Sequence, residues 1–259
     1  MKLFLQASIF PKRLPEGKME TLPRRWGILI KGHDFDLRAW TSAFQPPFDP
    51  HVSLTGHGPA LWSKELQDAT SSSEVWERSK PLLQLMNATM LHTQGGRLVE
   101  TEGIVELDVD GNERRHHILE AKGIEMRTGF GSATITVRDA NGNLVQQEPR
   151  PSVQQQWLAT AAASDYLAEL LFYALKRDNW FEIYKAIETL ENRYGGEASF
   201  LALGWEDASK VKLLKRTANF YHRHARGKFE RPKNRMDLSE ANELLTRIIR
   251  RAFDEANKT

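Results

Sequence analysis

The chain has 259 residues, 40% hydrophobic and 27% charged, with no cysteine and a formal net charge of +2. That balance is globular and suffices for one large domain or two small ones. It excludes disulfides, thiolate metal sites and cysteine nucleophiles and fits a reducing cytoplasm, and no run approaches the ~20 apolar residues of a membrane span.

The opening stretch MKLFLQASIFPKR has too short an apolar core, and no small-residue cleavage site, to be expected as a signal peptide. Residues 1–150 then read as β-rich. RRWGILIKGHDFDL holds an apolar run, Ile28 to Ile30, that suits a buried strand. SKPLLQLMNATMLHT places Leu82, Leu85, Met86 and Met90 near helical spacing, with Ser79 as N-cap and Pro81 in the first turn. Next, Ile104, Glu106 and Asp108 alternate with Val105, Leu107 and Val109 ahead of Asp110-Gly111, a hairpin signal. SATITVRDANGNLVQQ repeats that design around Asn141-Gly142. An antiparallel meander with one helix on its face is expected.

QQEPRPS marks a boundary, and residues 151–259 read as helical. The periodicity predicts helices over about 152–176, 179–193 and 206–226, the second stopping at Gly195-Gly196 and the third at Gly227. A fourth begins at MDLSE, where Asp237 as N-cap and Glu240 three residues on form a capping-box pattern. The expected class is α+β: an antiparallel β-rich part with one helix, then a four-helix bundle.

The charge is unevenly placed. Between Lys210 and Arg235 stand ten lysines and arginines and one acid, Glu230; ten minus one is +9, which leaves −7 for the rest. At about 100° per residue, Val211, Leu214, Ala218, Tyr221 and Ala225 share a core-facing arc. Lys212, Lys215, Arg216, Asn219, Arg223 and Arg226 fall on another arc, and His222 lies at the seam. Like charges at this spacing cost a few tenths of a kcal/mol per pair, a cost an anionic partner offsets. The loop GKFERPKNR adds Lys228 and Arg231, with Phe229 available to stack on a base or to anchor the loop. The competing reading is a solvated face, or one paired with acids of the same chain.

RTANFYH, with Arg216 and His222 in Arg-x5-His spacing, resembles the signature of the HEPN superfamily, as does the apolar-aromatic FEIYKAIETL with an acid inside it. The likeness covers 152–259. It implies an all-α bundle and, for many members, a dimeric, metal-independent ribonuclease. On that likeness His222 would be the acid–base group, Arg216 would stabilise charge on phosphorus and Asn219 would orient a phosphate oxygen. Thr217 departs from the pattern, which usually has Asn, Asp or His after the arginine. The whole chain also resembles bacterial proteins of similar layout with an RHA…M segment, a likeness that implies no activity.

Other chemistry is thin. His116 and His117 are adjacent, so on a strand they point to opposite faces and cannot share a metal. His33, His51 and His57 are expected to be isolated histidines, and TGFGS at 128–132 a flexible turn. Trp157, Trp180 and Trp205 are expected in the core. No cofactor, metal or membrane partner is expected. Three readings remain: a cytoplasmic protein whose Lys212, Lys215, Arg216, Arg223, Arg226, Lys228 and Arg231 grip nucleic acid; a ribonuclease using Arg216, Asn219 and His222; or a scaffold for an acidic protein surface. A homodimer is compatible with each.

Overall fold

The computed structural model describes residues 25–108, 110–117, 149–220 and 232–258. The second hairpin expected around Asn141-Gly142 and the turn at 128–132 lie outside them. The fold is α+β, with a five-stranded antiparallel sheet in the N-terminal half and helices dominating the C-terminal half.

The strands are β1 (Arg25–Lys31), β2 (His51–Thr55), β3 (Gly58–Trp62), β4 (Glu100–Leu107) and β5 (Glu113–His117). Their order is β2-β3-β1-β4-β5, so the first strand in sequence is the central one, flanked by two hairpins rather than heading a simple meander. Asp110-Gly111 turns the β4–β5 hairpin, with Gly111 at φ 81°.

Alternation along β1 and β4 serves two cores, because both faces of the sheet are covered. Ile28, Ile30, Leu61 and Ile104 face the helices, whereas Leu29, Ala60, Trp62 and Val105 form a small cluster on the other side. The Gly56 N–H, in the β2–β3 turn, donates to Glu113 Oε2 at the start of β5 (2.8 Å). Three strand spacings, about 14 Å, separate β3 from β5 in a flat sheet. The sheet therefore coils, and Glu113 closes over the face that carries Val105 and Leu107. Close approach inside the coil needs Gly27, where a Cβ would come within 3.0 Å of the Trp62 ring.

Three helices belong to the N-terminal half: α1 (Asp34–Ala43), α2 (Lys64–Gln67) and α3 (Ser72–Gln94). The last begins a full two turns before Ser79. Its N-cap is Ser71, whose hydroxyl accepts from the Glu74 N–H, while Ser79 is buried and donates to the Trp76 carbonyl (2.7 Å). Pro81 sits in the helix interior on its exposed side, next to exposed Glu77, so the Glu77 carbonyl it cannot bond stays near water. From Met86 to Met90 every residue is buried, since α3 runs between the two layers. Met86 and Met90 pack towards the sheet, and Ala88 joins the core of the bundle.

The C-terminal half contains α4 (Val153–Ala162), α5 (Asp165–Ala174), α6 (Trp180–Arg193), α7 (Glu197–Ala202), α8 (Ala208–Ala218) and α9 (Leu238–Ala256). The helix expected over 152–176 is thus two helices, broken at Ala163-Ser164, and α7 is an additional short helix. Asp237 caps α9 by accepting from the Glu240 N–H, and the α9 face of Ala241, Leu244, Leu245, Ile248, Ile249 and Ala252 is buried. Trp157 and Trp180 are core residues, while Trp205 is partly exposed against Tyr194 and Phe200.

Polar side chains tie the halves together. Gln155 Nε2 donates to the carbonyls of Gln45 (2.8 Å) and Pro50 (3.2 Å), and Gln154 Nε2 donates to the Thr93 hydroxyl (3.0 Å). His92 Nε2 faces the Ala174 carbonyl (3.2 Å), which can only accept, so that nitrogen carries the proton. Its Nδ1 then accepts from the Thr246 hydroxyl (3.1 Å). Arg250 donates to the His92 carbonyl at the end of α3 (2.9 Å).

Candidate nucleic-acid interface

Helix α8 starts where Asp207 caps it, its carboxylate accepting from the Ser209 N–H (2.7 Å). Val211, Leu214 and Ala218 are buried, as the wheel requires, and so is Thr217. At Asn219 and Phe220 the helix widens into a π-type turn, an irregularity often found at functional sites.

The three basic residues that the predicted arc places on α8 divide into two groups. Lys212 and Arg216, one turn apart, are exposed, and neither forms a salt bridge among the described residues. Lys215 differs. Its side chain is only 12% exposed, Nζ lies 2.6 Å from Glu191 Oε1 on α6, it also pairs with Glu197 on α7, and it packs 5.9 Å from the centre of the Tyr184 ring. Burial opposes the Lys215 charge, but the hydrogen bonds to the two carboxylates outweigh it and hold its pKa above the ordinary lysine value. Burial raises the Glu191 carboxyl in turn. Lys215 is thus paired within the protein.

Asn219 is half-buried, and its Oδ1 is enclosed without a hydrogen-bond partner among the described residues. His222, Arg223, Arg226, Lys228 and Arg231 lie outside the described residues, as does Phe229. The structure thus brings Lys212, Lys215, Arg216 and Asn219 onto one helix and leaves the rest of the predicted set unplaced.

Two cations of the GKFERPKNR loop, Lys233 and Arg235, stand in the described segment that leads into α9. The Met236 N–H donates to the Thr217 hydroxyl (3.3 Å), so the chain entering α9 returns to the end of α8. Pro232 and Met236 are buried, while Lys233, Asn234 and Arg235 between them are exposed. In the sequence, apolar Pro232 and Met236 bracket Lys-Asn-Arg, two cations around an asparagine.

Elsewhere, His33 caps α1, with Nδ1 accepting from the Phe35 N–H (3.3 Å). His116 Nε2 lies 3.1 Å from buried Glu106. Burial first, and then Arg25, lower the pKa of His51. Among the described residues no three His, Cys, Asp or Glu side chains gather as metal ligands, and no helix is long and apolar enough to cross a membrane. No known protein family, curated protein or solved structure matches the chain.

Proposed function

We propose that this protein binds a polyanion through the outer face of α8, and that the polyanion is nucleic acid. One observation carries the reading: Lys212 and Arg216 stand exposed and outside any salt bridge among the described residues, within a segment of net +9 in a chain whose remainder is −7. Cations that fold against their own protein's carboxylates, as Lys215 does, have no charge left to offer. Cations held at helical spacing without such partners repel each other, and phosphates relieve the repulsion.

The test is titration of labelled single-stranded RNA and DNA with the wild type and with Lys212→Glu/Arg216→Glu. Wild-type binding should fall steeply with salt, because each neutralised phosphate releases counterions. The double reversal should weaken binding at least tenfold at ~50 mM salt, where such contacts dominate. Absence of wild-type binding under that condition would exclude nucleic acid and leave an acidic protein surface as the partner.

Arg216 and Asn219 are also two of the three residues a ribonuclease of the HEPN type would use. In that reading His222→Ala abolishes RNA cleavage with little loss of binding, cleavage survives EDTA, and the product ends in a 2′,3′-cyclic phosphate. Equal cutting of DNA would exclude the mechanism, since DNA lacks the 2′-hydroxyl it needs.

A further inference from the structure

At the C-terminal end of α9 the bundle carries a cleft of about 300 Å³, set between that helix and the α7–α8 loop. This volume stands at the lower end of the ~300–1,000 Å³ range of small-molecule sites and suits a small ligand. Leu203 and Trp205 line the cleft from the loop, and Arg251, Asp254, Glu255 and Lys258 line it from α9.

The loop is held in place by its own contacts. Gly204 adopts a left-handed conformation (φ 66°), a turn that favours glycine and ends α7. Trp205 then packs edge-to-face with Tyr194 and Phe200, ring centres 5.4 and 5.9 Å away. Beside it Glu206 Oε1 accepts from Arg247 Nε of α9 (2.9 Å). Trp205 stays partly exposed and Leu203 is exposed, so the loop offers the cleft an apolar wall.

The α9 wall holds two cations and two acids, and one of each is already paired: Lys258 Nζ lies 3.0 Å from Glu255 Oε2. Arg251 and Asp254 are exposed and form no salt bridge or hydrogen bond among the described residues. Each alone is an ordinary surface charge. Together they set an open cation and an open anion on one cleft. They stand three residues apart, where helix geometry places Cβ atoms about 5–6 Å from each other.

We propose that this cleft binds a free α-amino acid with an apolar or aromatic side chain. The ligand's carboxylate takes the Arg251 guanidinium, whose paired N–H donors match it. Its ammonium donates to the Asp254 carboxylate, which only accepts. Both ligand charges sit on one carbon, so they fit a cation and an anion one helical turn apart. A dicarboxylate or a diamine would leave one of the two uncompensated, and each end of a peptide supplies only one of the charges. The ligand's side chain lies against Trp205 and Leu203, where burial of apolar area favours it. The inference goes beyond the polyanion reading: it uses no residue of the α8 face, and either can fail without the other.

The experiment is calorimetric titration of the full chain with L-phenylalanine at about pH 6, where an α-ammonium and an aspartate are both ionised. L-Phenylalanine should bind. N-acetyl-L-phenylalanine, which lacks the ammonium, and L-phenylalaninamide, which lacks the carboxylate, should each bind at least about tenfold more weakly, the loss of one charge-assisted hydrogen bond. Glycine, which has no side chain for the apolar wall, should also bind at least about tenfold more weakly. Each loss belongs to one residue. With Asp254→Asn, phenylalanine and its N-acetyl form should bind alike; with Arg251→Gln, phenylalanine and its amide should bind alike. No binding of L-phenylalanine at millimolar concentration overturns the proposal, as does equal binding of glycine or of both derivatives to the wild type. A wild-type preference that survives Asp254→Asn and Arg251→Gln overturns it as well. Both variants alter only exposed side chains, so the test does not depend on a substitution in the core.

Discussion

Around the C-terminal half of α3 polar atoms are matched, and along the outer face of α8 they are not. At the first place Asn87 meets both backbone groups of Val99, Oδ1 accepting from its N–H (2.7 Å) and Nδ2 donating to its carbonyl (2.8 Å). His92 uses both ring nitrogens, and Gln155 spans from α4 to the loop before β2. Such groups are inside, and an unpaired one would cost the full price of desolvation. Lys212 and Arg216 are outside, where water asks for no partner. Matched polarity in the interior therefore reports on the fold, whereas unmatched like charge on the surface is available for binding. Lys215 sits on the boundary: by sequence it belongs to the face, and by its contacts to the interior.

The largest expected effect breaks the matched side. Burial lowers the pKa of His92 from 6.5 to about 4; the bond to the Ala174 carbonyl opposes the shift, and Arg177 and Arg250 add to it. Between these two values the unfolded chain takes up a proton that the folded chain refuses. Stability is therefore complete above about pH 6.5 and falls as pH drops towards 4, by about 3 kcal/mol from this one side chain. Urea denaturation of the wild type and of His92→Gln at several pH values checks it. The variant should lack this component of the acid loss. Identical pH profiles would mean that the junction opens without regard to His92.

A smaller effect tests the boundary residue. Lys215→Met leaves Glu191 and Glu197 facing each other at the seam of α6, α7 and α8. Breaking a partly buried pair in this way should cost about 1–3 kcal/mol, less than a fully buried one because Glu197 can turn to water. The salt slope for RNA should be unchanged for the molecules that remain folded. A stability change below about 0.5 kcal/mol, typical of a surface substitution, would return Lys215 to the open face.

Local signals made much of this legible. Gly111, the Asp237 cap and the buried faces of α8 and α9 each follow from residues a few positions apart. The failures have one origin, in partners distant along the chain. Ser79 with Pro81 reads as a helix start, yet Ser71 caps α3 and the sheet and bundle on either side stabilise a 23-residue helix through a proline. The wheel groups Lys215 with Lys212 because it cannot see Glu191 and Glu197 on other helices. Thr217 reads as a departure from a motif, and only the return of residue 236 shows what its hydroxyl does. Of the candidate site, the helix, its basic arc and the basic loop after it were legible, while the division of that arc and the return of residue 236 to Thr217 were not.

The smallest expected effect sharpens the unmatched side. Lys212→Ala and Arg216→Ala remove exposed cations that stand one turn apart and form no salt bridge among the described residues. Relief of like-charge repulsion is worth a few tenths of a kcal/mol, and alanine is the better helix former, so neither change should destabilise the fold. Because the repulsion is screened, any gain should shrink between ~0.01 M and 1 M salt as the Debye length falls from about 30 Å to 3 Å. Urea denaturation at both salt concentrations gives the comparison directly. A loss above about 1 kcal/mol for either variant would mean that the side chain packs or pairs within the protein as Lys215 does, and the face would then lose its claim to an outside partner. Unchanged or slightly raised stability, joined to weakened RNA binding, would separate the two roles on one helix: Lys215 holds α8 in place, and Lys212 and Arg216 act from it.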